Sequence, residues 1–338
     1  MSAAAATSPN GSSGGLLGFL RQARAALLAA HKQQEEEEGT PRQQLKVVIG
    51  NEAADADSVV SAITLAYFLS AQHPSVQYVP VLSLPRAEMK LRPETLLLLR
   101  LAGAAEEEPP AGQRHLTFLD EADLPALAQK CPELKVVLVD HNRLCRALQP
   151  ALDGRVEAIV DHHEDKGHYP WVQEAHREVA FEGGFNGGGS TGASLSAAPS
   201  LAGGLGGLDG SLGGSLSLTR SSSAVGKALV ASTCTLVAER FLARAPHLLQ
   251  SPSGSGDGGG GGGNVAALLL GVIMLDAAGL DPMAGKVTER DLAAVAALER
   301  AVAAGGSGGG GGGGGRVGVV GEKMALYKRL SGAKFDRE

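Results

Sequence analysis

The sequence predicts an α/β fold with a mainly parallel sheet flanked by helices, and three observations predict it. Short apolar runs recur at residues 47–49, 136–139 and 156–160. Stretches with helical spacing separate them, the pattern of βαβ units. Each run closes on a polar or acidic elbow, where open α/β sheets place their ligands.

Residues 1–44 read as a leader, partly helical or disordered, with one amphipathic helix from Leu16 to about Lys32. The first 34 residues contain no acid, are rich in Ala and Ser, and carry Arg21 and Arg24, which also fits an organellar transit segment. The strand at 47–49 runs into Asn51-Glu52-Ala53-Ala54-Asp55-Ala56-Asp57. Ser58 is then placed to cap a helix that carries Val59, Ile63, Ala66 and Tyr67 at helical spacing. A second strand is expected at 76–84 and a helix from Pro93, a residue suited to a first helical turn. An acidic surface loop follows at 104–113. The strands at 136–139 and 156–160 close on Asp140-His141-Asn142 and Asp161-His162-His163. Further helices are expected at 224–243, at 264–275 ending on Asp276, from Thr288 to 301 with Asp291 at the capping-box position, and at 322–330.

Tracts at 183–223, 253–263 and 305–315 are Gly-rich without apolar periodicity and read as disordered linkers. With 48 glycines in 338 residues, the globular part is much shorter than the chain. An apolar fraction of 43% still supports one sizeable core. A net charge of -6 argues against nucleic acid as main partner and against an anionic membrane, while leaving room for a local basic pocket. No run reaches the roughly 18 apolar residues of a membrane span. Cys131, Cys145 and Cys234 lack zinc or redox spacing and are expected to be reduced, which implies a cytoplasmic protein, with an organelle as the alternative.

Asp55 and Asp57 stand two residues apart in a strand-to-helix turn, where they repel each other unless a cation sits between them. Asp140, Asp161 and Asp276 each end an apolar run. Any one of these alone is a turn or cap residue. Four such sites, one with a His pair, are too many for capping. Aspartate oxygens with imidazole nitrogen suit Mn²⁺ or Mg²⁺, and two such ions can clamp a phosphoryl group for in-line attack.

The elbow from Asn51 to Ser58, Leu138-Val139-Asp140, Asp161-His162-His163 and Leu275-Asp276 resemble the four ordered motifs of the DHH phosphoesterase superfamily. Within it, the elbow, the stretch 82–92, residues 232–237 and the stretch 285–291 resemble the eukaryotic exopolyphosphatase and prune branch, related to family II inorganic pyrophosphatases. The resemblance implies metal ligation by Asp55, Asp57, Asp140, His162 and Asp276 in a two-metal site, with Asn51 a weaker candidate where the pyrophosphatases have His. It implies that Asp161 orients the histidines and that His163 meets the substrate phosphate or assists the leaving group. Arg86 and Arg92 match positions that could bind substrate phosphate. It implies a DHH catalytic domain over 45–304, a glycine linker at 305–315, and the beginning of a truncated DHHA2 domain at 316–338. The function so implied is a metal-dependent phosphoanhydride hydrolase acting on polyphosphate, an exopolyphosphatase. The alternatives are a pyrophosphatase, a short-nucleotide phosphodiesterase, or a non-catalytic interaction protein.

Overall fold

The computed structural model describes residues 15–32, 44–105, 113–183, 226–249, 265–306 and 323–335. The glycine tract 253–263, and all but the ends of the acidic loop and of the tracts 183–223 and 305–315, lie outside the described residues.

Five parallel strands form the sheet: β1 (Gln44–Ile49), β2 (Val76–Val81), β3 (Lys135–Val139), β4 (Val156–Asp161) and β5 (Arg177–Val179). Their order is β2-β1-β3-β4-β5. A two-stranded antiparallel pair, β6 (Phe181–Glu182) and β7 (Lys227–Ala228), follows. The helices are α1 (Gly15–Lys32), α2 (Ala56–Gln72), α3 (Pro93–Leu101), the short α4 (Leu119–Ala122), α5 (Leu124–Lys130) and α6 (Gln149–Leu152), then α7 (Thr233–Arg244), α8 (Val265–Asp276), α9 (Glu289–Gly306) and α10 (Lys323–Phe335).

Alternation along the strands divides the interior into two layers. Val48, Val137, Val139 and Val160 face a cluster with α2, α7 and α8. Val47, Ile49, Val136, Leu138 and Ile159 face the opposite cluster, which includes Leu124, Leu127 and Leu152. Burial on both faces is why these strands read as continuous apolar runs rather than alternating ones. Helix α8 is apolar all round, and it packs among α2, α7, α9 and α10. Helix α10 contributes Leu326 and Leu330 to the same cluster.

The helix expected within the leader is an integral part of the fold. It lies against β2, the edge strand, with Leu16 and Leu20 in one cluster and Ala23 and Leu27 in the other. Covering an edge strand in this way blocks further strand pairing. Arg24 fastens it, donating to the Leu116 carbonyl (2.9 Å) and to Glu121 (2.7 Å).

Two expected boundaries move. The strand expected at 76–84 ends at Val81; only Leu82 continues, bridged to Phe118, and a 3₁₀ turn at Arg86–Leu91 follows Pro85, which has no N–H to give a ladder. The helix expected from 224 starts at Thr233, because Ser232 caps it by accepting from Cys234 N and residues 227–228 pair as β7.

The connection from β1 leads outward to β2 and that from β3 leads the other way to β4. A crevice therefore opens between the C-terminal ends of β1 and β3, the switch point where doubly wound sheets bind ligands.

Because α1 is packed rather than detached, Leu20→Ala should destabilise the protein by about 2–5 kcal/mol in denaturant unfolding. An unchanged unfolding midpoint would mean that α1 contributes nothing to the core.

Candidate metal centre

The elbow after β1 is tight. A Cβ at Gly50 would overlap Ser58 Oγ and lie 2.8 Å from the Ser58 carbonyl oxygen, so only glycine lets α2 approach this closely. Ala54 adopts a left-handed φ of 46°. The cap of α2 is Asp55, not Ser58: its Oδ1 accepts from Ser58 N at 3.1 Å. A carboxylate serves this position because it also meets the positive end of the helix dipole.

Asp57, in the first turn of α2, is buried and faces the start of α7. Its Oδ1 accepts from Ser232 Oγ (2.7 Å) and Cys234 N (3.0 Å), and its Oδ2 from Thr233 N (2.8 Å). Thr233 Oγ1 donates to Asp140 Oδ1 at 3.1 Å. Two helix N-termini thus converge on the carboxylates. The start of α7 is held in turn by Asp291, whose buried carboxylate accepts from Ala231 N, Thr235 Oγ1 and Thr288 Oγ1. Thr288 and Asp291 make the expected capping box of α9.

Asp140 follows β3 with φ 63°, an uncommon conformation for a residue with a side chain. Its carboxylate takes 2.7 Å from Asn51 Nδ2. The His162 ring is oriented by Nδ1, 3.2 Å from the Val230 carbonyl; a carbonyl only accepts, so Nδ1 carries the proton. That turns Nε2 toward Asp140 Oδ1 (3.5 Å) and Asp57 Oδ2 (3.7 Å). Asp161, fully buried, accepts from Asn142 Nδ2, from the backbone N–H of His162 and His163, and from His163 Nδ1 at 2.8 Å. Asp140, His162 and His163 form a compact group able to hold a metal ion.

The electrostatics mark this cluster as deficient in positive charge. Burial, then the charges of Asp57 and Asp55, push Asp140 well above the usual carboxylate range, against a smaller opposing pull from His163. Asp276, the last residue of α8, is raised in the same way by burial and by Asp57, Asp55 and Asp140. Its Oδ2 is buried without a hydrogen-bond partner. Burial would raise Asp161 too, but the hydrogen bond and charge of His163 hold it below its ordinary value. The same bond raises His163. An orphaned carboxylate oxygen, an imidazole nitrogen turned toward two carboxylates and oxygen-rich neighbours fit a hard divalent cation.

Comparison with known proteins agrees with this geometry. Residues 46–180 match the DHH family, N-terminal domain. This segment is a DHH-family domain. Two relatives are the Exopolyphosphatase PRUNE1 of Rattus norvegicus, 30% identical over 256 residues, and that of Bos taurus, 31% identical over 257 residues. Each alignment covers 75% of this chain and 41% of the relative. The Manganese-dependent inorganic pyrophosphatase of Methanocaldococcus jannaschii is 28% identical over 120 residues, 36% of this chain and 29% of the relative. The chain therefore spans about two fifths of the length of the PRUNE1 proteins it matches.

The expected residues Asp55, Asp57, Asp140, Asp161 and His162 of the matched segment, with Asp276 from α8, are drawn together by contact or by charge, and His163 stands at their exposed side. Asn51 is placed differently from an oxygen ligand. Its Oδ1 accepts from Ala54 N, so the amide nitrogen faces Asp140. Arg86, expected to bind substrate phosphate, is instead held by Glu121 through Nε (2.6 Å) and Nη2 (3.0 Å) and lies over the Phe118 ring. A planar fork matched to a carboxylate outcompetes solvent exposure. Arg92, also expected at substrate, donates to the Ala53 (2.7 Å) and Ala54 (3.2 Å) carbonyls and so clamps the elbow. Sequence reading missed Thr233 and Asn142; only the Ser232-Thr233 pair, a capping signal ahead of an apolar run, could have pointed to one of them.

Asp140 and Asp276 bind protons more tightly folded than unfolded, so apoprotein stability falls as pH rises through the window above the usual carboxylate range. Asp276→Asn should raise the apoprotein melting temperature at pH 7, by about 2–4 °C for each 1 kcal/mol of repulsion relieved, and weaken Mn²⁺ binding. For the wild type, calorimetry in buffers of different ionisation enthalpy should record proton release on Mn²⁺ binding. In addition, Arg92→Ala should weaken Mn²⁺ binding about 10- to 100-fold, the size typical of residues that orient ligands. Arg86→Ala should lower the melting temperature and leave Mn²⁺ affinity unchanged.

Proposed function

We propose that this protein is a metal-dependent phosphoanhydride hydrolase, acting as an exopolyphosphatase that releases orthophosphate from polyphosphate chain ends. The observation that carries the reading is the convergence of Asp140 Oδ1 (3.5 Å) and Asp57 Oδ2 (3.7 Å) on His162 Nε2 at the sheet's switch point, where each of these oxygens receives a neutral donor from Thr233. Asp55, Asp57, Asp140, His162 and Asp276 would hold two Mn²⁺ or Mg²⁺ ions. When bound, such ions polarise a phosphoryl oxygen and lower the pKa of water.

The chain's own residues do the rest. Asp161 fixes the His163 ring through Nδ1–H and keeps its Nε2 edge toward solvent, where substrate enters. The Asp161 hydrogen bond favours the imidazolium, so His163 can donate a proton from Nε2 to the departing phosphate oxygen. Asn51 gives Asp140 a neutral donor, and Arg92 keeps the elbow in register with α7.

One observation favours a second reading, hydrolysis of short nucleotides. A cavity of about 260 Å³ adjoins the elbow at Gly50 and Glu52, and its walls include Leu84, Leu119, Leu144 and Leu148. Its other walls carry Glu52, Glu88, Arg92 and His141, so it offers an organic phosphate an apolar side for the organic group and polar groups beside it.

Orthophosphate release from long polyphosphate, tripolyphosphate and pyrophosphate, beside cleavage of a dinucleotide, separates these readings. Polyphosphate should be cleaved with Mn²⁺, and kcat at saturating metal should fall as pH rises through the raised pKa of His163. His163→Gln should lower kcat by about 100-fold or more and abolish that alkaline limb. Tight Mn²⁺ binding without turnover on any substrate would leave a non-catalytic interaction protein.

A further inference from the structure

The open cleft over the metal centre, about 310 Å³, is lined by residues that include Asn51, Asp140, Asp161, His163, Glu164 and Arg143. Three of these six are acids. If the cleft admits a phosphorylated anion, as the proposed function requires, the oxygens pointing away from the metal ligands need donors of their own. Arg86 and Arg92 do not supply them: one is committed to Glu121 and the other to the carbonyls of the elbow.

Arg143 is the one arginine or lysine among the described residues that line this cleft. It is exposed, and its guanidinium has no hydrogen bond or ion pair with another described residue; its charge reaches the Tyr169 hydroxyl. The backbone beneath it is fixed on both sides. Asn142 Nδ2 donates to Asp161 Oδ2 (2.7 Å) and to the Glu164 carbonyl (2.9 Å). Leu144 N donates to the Tyr169 hydroxyl at 3.0 Å, and His141 Nδ1 to the Val139 carbonyl at 2.9 Å. The left-handed turn at Asp140 starts this loop directly after the ligand itself. A long cationic side chain therefore stands on an anchored base, three residues from a metal-binding carboxylate, with its donors unspent. A planar fork of this kind takes two phosphoryl oxygens at once.

We propose that Arg143 is the substrate-binding cation of this cleft, contacting the non-bridging oxygens of a phosphoryl group seated beside Asp140 and His163. This rests on the reading of the protein as a phosphoanhydride hydrolase, and it moves phosphate recognition from Arg86 and Arg92 to a position in the loop after β3.

The test uses the full chain and a binding readout that needs no turnover. Calorimetry would measure Mn²⁺ binding, then binding of imidodiphosphate, a non-hydrolysable diphosphate, to the Mn²⁺-loaded wild type, Arg143→Ala and Arg143→Lys. Arg143→Ala should weaken imidodiphosphate binding about tenfold or more, with Arg143→Lys between it and wild type and Mn²⁺ affinity equal in all three. Equal imidodiphosphate affinity in wild type and Arg143→Ala would make Arg143 a solvated surface residue and overturn the proposal alone. Loss of Mn²⁺ binding in Arg143→Ala would overturn it in favour of a structural role. A wild type that binds Mn²⁺ but no imidodiphosphate would overturn both the phosphohydrolase reading and the role of Arg143.

Discussion

The tie between Asp57 and the first residues of α7 is the interaction on which the rest of the structure depends. Three donors from residues 232–234 meet one buried carboxylate that lies about half the chain away in sequence. Without it, the βαβ units before the glycine-rich tract and the helices after it would keep the β6–β7 pair, the His162 contact with the Val230 carbonyl and the Arg240–Glu178 ion pair, and otherwise meet through apolar packing, which has no directional preference. With it, α7 can occupy one orientation, and Thr233 then falls within reach of Asp140. The bond also explains how a carboxylate is tolerated at a helix-to-helix junction: unsatisfied N–H groups at the start of α7 need an acceptor as much as Asp57 needs donors.

The same arrangement leaves its electrostatics incomplete in one direction. Asp57 accepts three protein donors and Asp161 four, one of them the His163 ring. Asp140 receives Asn51 and Thr233, both neutral, and Asp276 keeps an oxygen with no hydrogen-bond partner among the described residues. A buried polar atom left unpaired costs about 1–3 kcal/mol, and more when charged. Folding thus places repulsion and an orphaned acceptor on the side facing the crevice, and donors on the side facing the core.

Much of this was legible in the sequence, for a physical reason. The strands announce themselves because both their faces are buried, and three of the five central acids, Asp140, Asp161 and Asp276, are conspicuous because each ends an apolar run or follows one directly. What was not legible depends on partners distant in sequence. Ser58 looks like a cap until the structure shows Asp55 taking its N–H. Residues 224–232 carry no signal that separates a helix from an extended approach to Asp57 and Asp291. The arginines are the clearest case. Arg86 and Arg92 sit in a stretch that resembles a substrate-binding segment, and nothing near them reveals that Glu121 and the carbonyls of Ala53 and Ala54 take their donors.

Arg92 and Asn51 together suggest how the elbow keeps its shape before any cation arrives. Four acids brought into one crevice would drive the loop outward, and the left-handed Ala54 is a point where it could open. Arg92 grips the carbonyls on either side of that peptide, from outside the crevice, while Asn51 bridges Ala54 N to the Asp140 carboxylate from within. Neither contact neutralises the cluster: one is spent on backbone oxygens and the other is uncharged. The loop is therefore pinned without its negative charge being cancelled. That combination, a fixed geometry with unspent charge, is what a site needs if a divalent cation rather than a protein side chain is to complete it.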